Sequence, residues 1–574
     1  MEYTIRIGGQ AGQGLVVIGS CLAKYFSRSG FHVFSHQDYM SRIRGGHNYY
    51  QLRIADRPVR SSRDQIDILV AFDWETIEQH RQDLTEKGII IYDAVACRQE
   101  ISAHEFLNVP VTAIIDQMQV HKVMANSVIM GAVLGLMGLD LEPFNEIIGD
   151  FIHTETEDII NTNIAAAKTG LDYVANKFVG RFSFKKPGHG KKKQMLINGN
   201  QAIGLGALVS GCKFFAAYPM TPATGIMNYL AAKAKKHRLV VEQAEDEIAA
   251  INMALGASFA GVRAMTATSG GGFALMTEGL SLAGITETPV VIAEVQRPGP
   301  ATGLPTRTEQ SDLSFLLYGG HGEFPRLVFT PGTPEQAFYL TNKAFHLAEK
   351  FQIPVLIQSD QYLADSEWTF SDFATEKLFS EDFRLRGEQL KKTETYQRYA
   401  YSKSGISPLA IPGESNHLVV VDSDEHDEDG HIIEDAATRK NMVRKRFLQK
   451  LPLIREEIAS PAFYGEKQPK NLLVCYGSCF GVVKEAMENL SKGHSIAMLH
   501  FSEVFPFPLP DKFDFVKLLA EATRIICIEN NASSQFARLL RAETGLNCQI
   551  KINKYDGRPF TLDTLTGEIH DHLY

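Results

Sequence analysis

No Cys-x-x-Cys pair occurs among the seven cysteines, which stand at 21, 97, 212, 475, 479, 527 and 548. An iron–sulfur cluster needs four thiolates at tight local spacing, so none is expected on this chain. The odd, scattered set argues against a disulfide framework and for a reduced, cytoplasmic setting. In "CYGSC" three residues separate Cys475 from Cys479, but the first lies in the apolar strand pattern "NLLVCYGS", so both read as buried thiols rather than metal ligands. Also absent is any apolar run near the ~20 residues of a membrane helix. "MEYTIRIGG" starts directly in a strand, which indicates neither secretion nor membrane insertion. Positive charge is not in excess: 58 basic against 67 acidic residues leave a net charge of −9. A general nucleic-acid or membrane-surface role gains no support from that balance.

What is present is ample apolar content, 44% of 574 residues, enough for about three or four domains. Residues 1–180 alternate strand patterns ("YTIRIGG", "FHVFSH", "IDILVAFD", "GIIIYDA") with helical runs such as "LVVIGSCLAKYFSRSG", which predicts a doubly wound α/β domain. Residues 181–194, "RFSFKKPGHGKKKQ", read as a basic linker; Arg181, Lys185, Lys186 and Lys191–Lys193 are either solvated or meet an acidic partner. A second α/β domain follows over 195–370, with strands at "RLVVEQ", "RAMTATS", "TPVVIAEVQ" and "IPVLIQSD". Residues 371–465 form a charged connection with one helix, "TRKNMVRKRFLQKLPLIREEI", and 466–574 read again as parallel α/β.

The first glycine loop, "GGQAGQG", joins a strand to a helix and suits a phosphate or a tight turn equally; its spacing is not the dinucleotide fingerprint. "SRIRGGHNYYQLRI" reads as a loop in which Arg42, Arg44 and His47 would meet an anion, a neighbouring subunit or solvent. In "FFAAYPMTPATGIMNYL", Pro219 and Pro222 hold Met220 and Thr221 out of helical geometry, so Thr221 either caps the next helix or is presented at a strand's ligand-binding edge. "VVEQAEDEIAAIN" gathers Glu242, Glu245, Asp246 and Glu247 at a helix start, where carboxylates complement the dipole or, if buried, serve as an acid/base group. "ATSGGGFALMTEG" offers Ser269 and three glycines before another helix. "VQRPGPATGLPTRTEQSD" is stiffened by proline, and Arg297 or Arg307 on it could grip a carboxylate bidentately. "DSDEHDEDGH" fails the EF-hand order at His426 and Asp427, and reads as a solvated or ion-paired acidic loop.

Taken together and in order, "YPMTPAT", "EQAEDEIAAINMALGASFAG", "TATSGGGFALMTEG" and "VQRPGPATGLPTRTEQSDL" resemble the α-subunit of 2-oxoacid:ferredoxin oxidoreductases, above all those acting on 2-oxoglutarate. "GGQAGQG…SRIRGGHN" resembles that family's γ-domain, here ahead of the α-part. The resemblance implies three doubly wound domains: a γ-domain, a thiamine-diphosphate pyrimidine-type domain and a transketolase C-terminal-like domain. It implies oxidative decarboxylation of a 2-oxoacid to an acyl-coenzyme A, or the reductive carboxylation of a reductive TCA cycle. Thiamine diphosphate would be shared with a β-subunit that brings Mg²⁺, a [4Fe-4S] cluster and the missing Gly-Asp-Gly…Asn-Asn motif, in an αβ or (αβ)₂ assembly that reduces ferredoxin. By resemblance Glu247 would contact the aminopyrimidine ring, with Glu245 as fallback. Thr221, Arg297 and Thr306 would meet the oxoacid, Arg307 competing with Arg297. Tyr218, Pro219 and Ser269 would line the cofactor, and Gly12 and Gly14 would touch coenzyme A unless that domain serves assembly alone. Met220 stands where many relatives carry isoleucine, a volume-conserving change. Pyruvate or a branched-chain oxoacid as substrate, and a non-catalytic scaffold, are the alternatives.

Overall fold

Strand order, more than strand number, positions the site in this molecule. The computed structural model describes residues 1–41, 45–152, 156–184 and 194–573. Arg42 and Arg44, and Lys185, Lys186 and Lys191–Lys193 of the basic stretch, lie outside the described residues. The chain divides into two compact units: Met1–Ile197 with Ser366–Asp372 and Phe560–Gly567, and Asn198–Asp365 with Phe373–Pro559 and Glu568–Tyr574.

The first unit is built on an eight-stranded sheet in the order Phe106–Asn108, Leu84–Tyr92, Ile66–Ala71, Glu2–Ala11, Gly45–Ala55, His32–Asp38, Trp368–Phe370, Met195–Ile197. The first four strands run parallel, and the pairings from Glu2–Ala11 onward are antiparallel. Helix Leu15–Arg28 buries Leu15, Ile18, Leu22, Tyr25 and Phe26, a stripe at three- and four-residue spacing that faces the sheet. Ile5, Ile7, Tyr50, Leu52 and Ile54 supply the sheet's share of that core. On the opposite face the outer parallel strands bury Leu69, Ile90, Tyr92 and Phe106, whereas Glu2–Ala11 and Gly45–Ala55 bury polar side chains: Arg6 donates to Gln51 Oε1 at 3.0 Å and to Asp83 Oδ2 at 2.9 Å. This double burial corrects the reading of "SRIRGGHNYYQLRI" as a loop. Gly45–Ala55 is a strand and His47 stands on it, its alternation hidden because polar side chains, too, are enclosed.

The second unit carries two sheets. The larger runs Glu503–Phe505, Leu327–Phe329, Pro354–Asp360, Val290–Gln296, Arg263–Thr268, Cys212–Ala217, Val240–Gln243, parallel except for its Glu503–Phe505 edge. The smaller runs Ala462–Gly465, Ile496–Phe501, Asn471–Tyr476, Arg524–Glu529, Ile550–Asn553, parallel except for its first strand. One apolar core joins them, with Ala264, Ile292 and Leu356 from one sheet and Leu472, Val474 and Leu499 from the other. The connecting segment is helical over Ala436–Val443, π-helical over Arg444–Gln449 and α-helical over Lys450–Glu456. It is fastened by buried charge, Lys445 and Lys450 both pairing with Glu287. In the acidic loop, Glu425 is clasped by Arg439 and Arg446, and His426 is enclosed against the Tyr399 ring.

Candidate active site

In the larger sheet of the second unit, Val240–Gln243 pairs with one side of Cys212–Ala217 and Arg263–Thr268 with the other. The winding reverses at that strand, and an open parallel sheet takes its ligand outside the carboxyl ends of strands at such a point. The segments leaving those ends are the proline turn after Ala217 and the glycine-rich helix start after Thr268.

The turn is held from below. Asn200 Nδ2 donates to Pro222 O at 3.0 Å, and the Thr224 N–H donates to Met220 O at 3.2 Å as helix Thr224–His237 begins. No side chain caps that helix, so capping does not account for Thr221. The Thr221 carbonyl accepts a 2.7 Å bond from Arg297 Nη1. Pro219 is half-buried and Tyr218 is exposed.

Asp246 caps helix Glu247–Phe259 by accepting from the Ala249 N–H at 2.7 Å, which leaves Glu247 as its first residue. Glu245 and Glu242 are exposed, whereas Glu247 retains 3% of its accessible surface and its Oε1 has no protein partner. Burial pushes the Glu247 carboxyl above the ordinary range; Asp246 adds to this, and Arg297 opposes it. The protonated, hydrogen-donating form is thereby favoured.

Ser269 is completely buried at the N-terminus of helix Gly270–Ile285, makes no capping bond, and has an Oγ without a protein partner. The three glycines after it meet three different neighbours. A Cβ on Gly270 would stand 2.3 Å from Asp312 Oδ2, one on Gly271 3.9 Å from Ala301 O, and one on Gly272 2.5 Å from Glu247 Oε1. The helix start is bare so that the carboxyl of Glu247 fits against it.

The stiff loop beyond Val290–Gln296 completes the group. Its tip, Ala301–Leu304, is exposed, while Thr306 and Arg307 are buried. Arg297 reaches the turn, and its guanidinium pKa is lowered by burial and supported by Glu247. Arg307 lies instead beside Gly557, where a Cβ would meet Arg307 Cβ at 3.4 Å. Thr221, Glu247 and Arg297 thus converge, with Ser269 at the neighbouring helix start. Gly12 and Gly14 belong to the other unit, with φ of 94° and 79° at the N-terminus of Leu15–Arg28. Sequence reasoning missed Gln296 and Gln310, whose side chains hold the loop; one glutamine ending an apolar strand and one inside a loop carry no periodic signal.

Residues 205–445 match the family model described as pyruvate flavodoxin/ferredoxin oxidoreductase, thiamine diphosphate-binding, and residues 4–173 match pyruvate ferredoxin/flavodoxin oxidoreductase. A 2-oxoacid:ferredoxin oxidoreductase subunit alpha from Sulfolobus sp is 34% identical over 98% of this chain and 96% of its own. The chain belongs to the 2-oxoacid:ferredoxin oxidoreductase α-subunit family. As a member of that oxidoreductase family it carries the thiamine-diphosphate-binding module, and the α/β architecture expected from its sequence is the family's. A solved structure of 2-oxoglutarate:ferredoxin oxidoreductase from Magnetococcus marinus, with 2-oxoglutarate, coenzyme A and succinyl-CoA bound, superposes with a TM-score of 0.91 at 31% identity, covering 100% of both chains. The 2-oxoglutarate synthase subunit KorA of Methanocaldococcus jannaschii is 32% identical over 66% of this chain and 97% of its own. No described helix is long and apolar enough to cross a membrane.

Proposed function

We propose that this chain is the α-subunit of a cytoplasmic, thiamine-diphosphate-dependent enzyme that converts 2-oxoglutarate and coenzyme A to succinyl-coenzyme A and CO₂, or runs the reverse carboxylation. The observation that carries this reading is the meeting of Thr221, Glu247 and Arg297 at the sheet's reversal point. The relative from Magnetococcus marinus, bound to 2-oxoglutarate and succinyl-CoA, supports the choice of substrate. Pyruvate is the second reading, favoured by the descriptions of both family models.

The residues present fit the aminopyrimidine side of thiamine diphosphate. A buried carboxyl lacking a partner at Oε1 and a buried, unpartnered Ser269 hydroxyl are donors awaiting a polar ligand. When bound, the cofactor supplies a nucleophilic carbon and an electron sink for decarboxylation. Glu247, with a proton on Oε1, would hold that cofactor by a hydrogen bond to a ring nitrogen, and Ser269, with Tyr218 and Pro219, would border the same ring. Arg297 pairs with the oxoacid carboxylate while its second contact, the Thr221 carbonyl, fixes the guanidinium's direction. Thr221 and Thr306 line the substrate beside it.

Mg²⁺, the diphosphate site and a [4Fe-4S] cluster belong in this reading to a β-subunit, in an αβ or (αβ)₂ assembly, and the two electrons leave to ferredoxin. Residues 1–180 act as the γ-domain, where Gly12 and Gly14 contact coenzyme A. Residues 181–194 are the linker, 195–370 the pyrimidine-type domain, 371–465 the connection and 466–574 the transketolase C-terminal-like domain. The test is to assay the chain assembled with its β-subunit on 2-oxoglutarate, pyruvate and branched-chain oxoacids, with a viologen acceptor. Preference for 2-oxoglutarate is expected, and no turnover of any oxoacid refutes the reading. Arg297→Ala should raise KM for the oxoacid by about 10²-fold or more while leaving assembly intact.

A further inference from the structure

The smaller sheet of the second unit has a reversal point of its own. Asn471–Tyr476 pairs with Ile496–Phe501 on one side and Arg524–Glu529 on the other. The crevice beyond Tyr476 and Glu529 is where such a sheet takes a ligand. Here that crevice is filled by Gln310, a residue of the loop that carries Arg297 and Thr306.

Every polar group of Gln310 is engaged there, and the residue keeps 1% of its accessible surface. Its backbone N–H donates to Asn530 O at 2.7 Å, and its carbonyl accepts from Tyr476 Oη at 3.1 Å. Oε1 accepts from the Asn530 N–H at 3.0 Å and from Cys479 Sγ at 3.3 Å. Nε2 donates to Tyr476 O at 3.3 Å and to Ser478 Oγ at 3.4 Å. Ser478 donates in turn to the buried Asp360. Close by, the base of the loop is shut where the Asp312 N–H donates to Gln296 Oε1 at 3.0 Å, while Gln296 Nε2 donates to Ser359 O at 3.1 Å. Between these fixed points and the Arg297–Thr221 bond, the exposed part of the loop is the stretch 299–304.

We propose that Gln310 is a positioning residue for oxoacid binding: the C-terminal module grips it as other open sheets grip a ligand, and so sets the place of Arg297 and Thr306. The inference rests on the reading of Arg297 given above. Binding a planar carboxylate bidentately demands placement to a fraction of an ångström. A loop tied only at its ends would leave Arg297 several orientations, and ordering it would then draw on the energy of substrate binding.

The test uses Gln310→Met, which keeps the volume and removes the side-chain donors and acceptor, and Gln310→Glu, which restores them only when its carboxyl is neutral. Hydrogen exchange on the full chain without substrate should speed up by about tenfold or more over 297–309 in Gln310→Met, with strand Asn471–Tyr476 unchanged. In the assembled enzyme KM for the oxoacid should rise about tenfold, with kcat falling less than about threefold. In Gln310→Glu, KM should approach the unsubstituted value as pH falls, a signature that a merely structural role does not give. Unchanged exchange over the loop, or a kcat loss at constant KM, overturns the proposal. An unsubstituted assembly inert towards every oxoacid overturns the reading of the site instead, and the exchange result still decides whether Gln310 clamps the loop.

Discussion

Glu247 shows how one carboxyl among several is singled out. Four acidic residues crowd residues 242–247, and all would complement a helix dipole equally well. Asp246 is spent on the cap and Glu242 and Glu245 face solvent, so only Glu247 is enclosed. Its carboxyl pKa is raised in the fold by burial, then by Asp246, against the pull of Arg297. The folded state therefore binds the extra proton, and stability falls as pH rises from the ordinary carboxylate range through the folded value. Urea midpoints of the free chain at about pH 5 and about pH 8 should differ less in Glu247→Gln than in the unsubstituted chain. In the assembled enzyme the same substitution should slow hydrogen–deuterium exchange at the thiazolium C2 by about 10²–10⁴-fold, followed by NMR of quenched cofactor. Exchange at the unsubstituted rate would remove Glu247 from the proton path.

At the scale of elements, the decisive piece is the start of helix Gly270–Ile285. From "ATSGGGFALMTEG" a strand followed by a helix is legible, and the structure has both. Three glycines at a helix start suit an anion and suit a plain turn. Their neighbours give two of them a packing reason: Asp312 and Glu247 occupy the space a side chain would need at Gly270 and Gly272, while at Gly271 a Cβ would meet only Ala301 O, at 3.9 Å. Gly272→Ala should therefore destabilise the chain by about 1–3 kcal/mol, although alanine favours helix, because its Cβ meets Thr268 Oγ1 at 2.1 Å and Glu247 Oε1 at 2.5 Å. Denaturant unfolding checks the sign, and an unaltered or stabilised variant would mean that Glu247 has room to move aside. The helix "TRKNMVRKRFLQKLPLIREEI" was legible too, but not its π-helical turn over Arg444–Gln449, from which Lys445, and just after which Lys450, reach one carboxylate.

That carboxylate, Glu287, acts at the scale of the whole second unit. Burial alone would raise its pKa, and the ammonium groups of Lys445 and Lys450, with Arg398, overcome this and hold it well below the carboxylate range. A group depressed in the fold contributes stability above its unfolded pKa and loses it only as pH falls through the folded value, so this contribution persists into strongly acidic solution. Glu287→Gln leaves two buried cations without their counter-charge and should cost about 3–5 kcal/mol in chemical denaturation. A loss below about 1 kcal/mol would show that water reaches the cluster.

The alternation of strands with helices, the polar break near residue 190 and the order of the four motifs are properties of neighbouring residues, and the sequence by itself determined them. Hydrophobic period is local, so it survives without knowledge of the fold. Tertiary structure alone decided that Gly45–Ala55 is a strand, that Arg297 rather than Arg307 meets Thr221, and that Gln310 enters the second crevice. Those outcomes depend on which strands lie side by side, and contacts between residues far apart in the chain leave no period in the sequence.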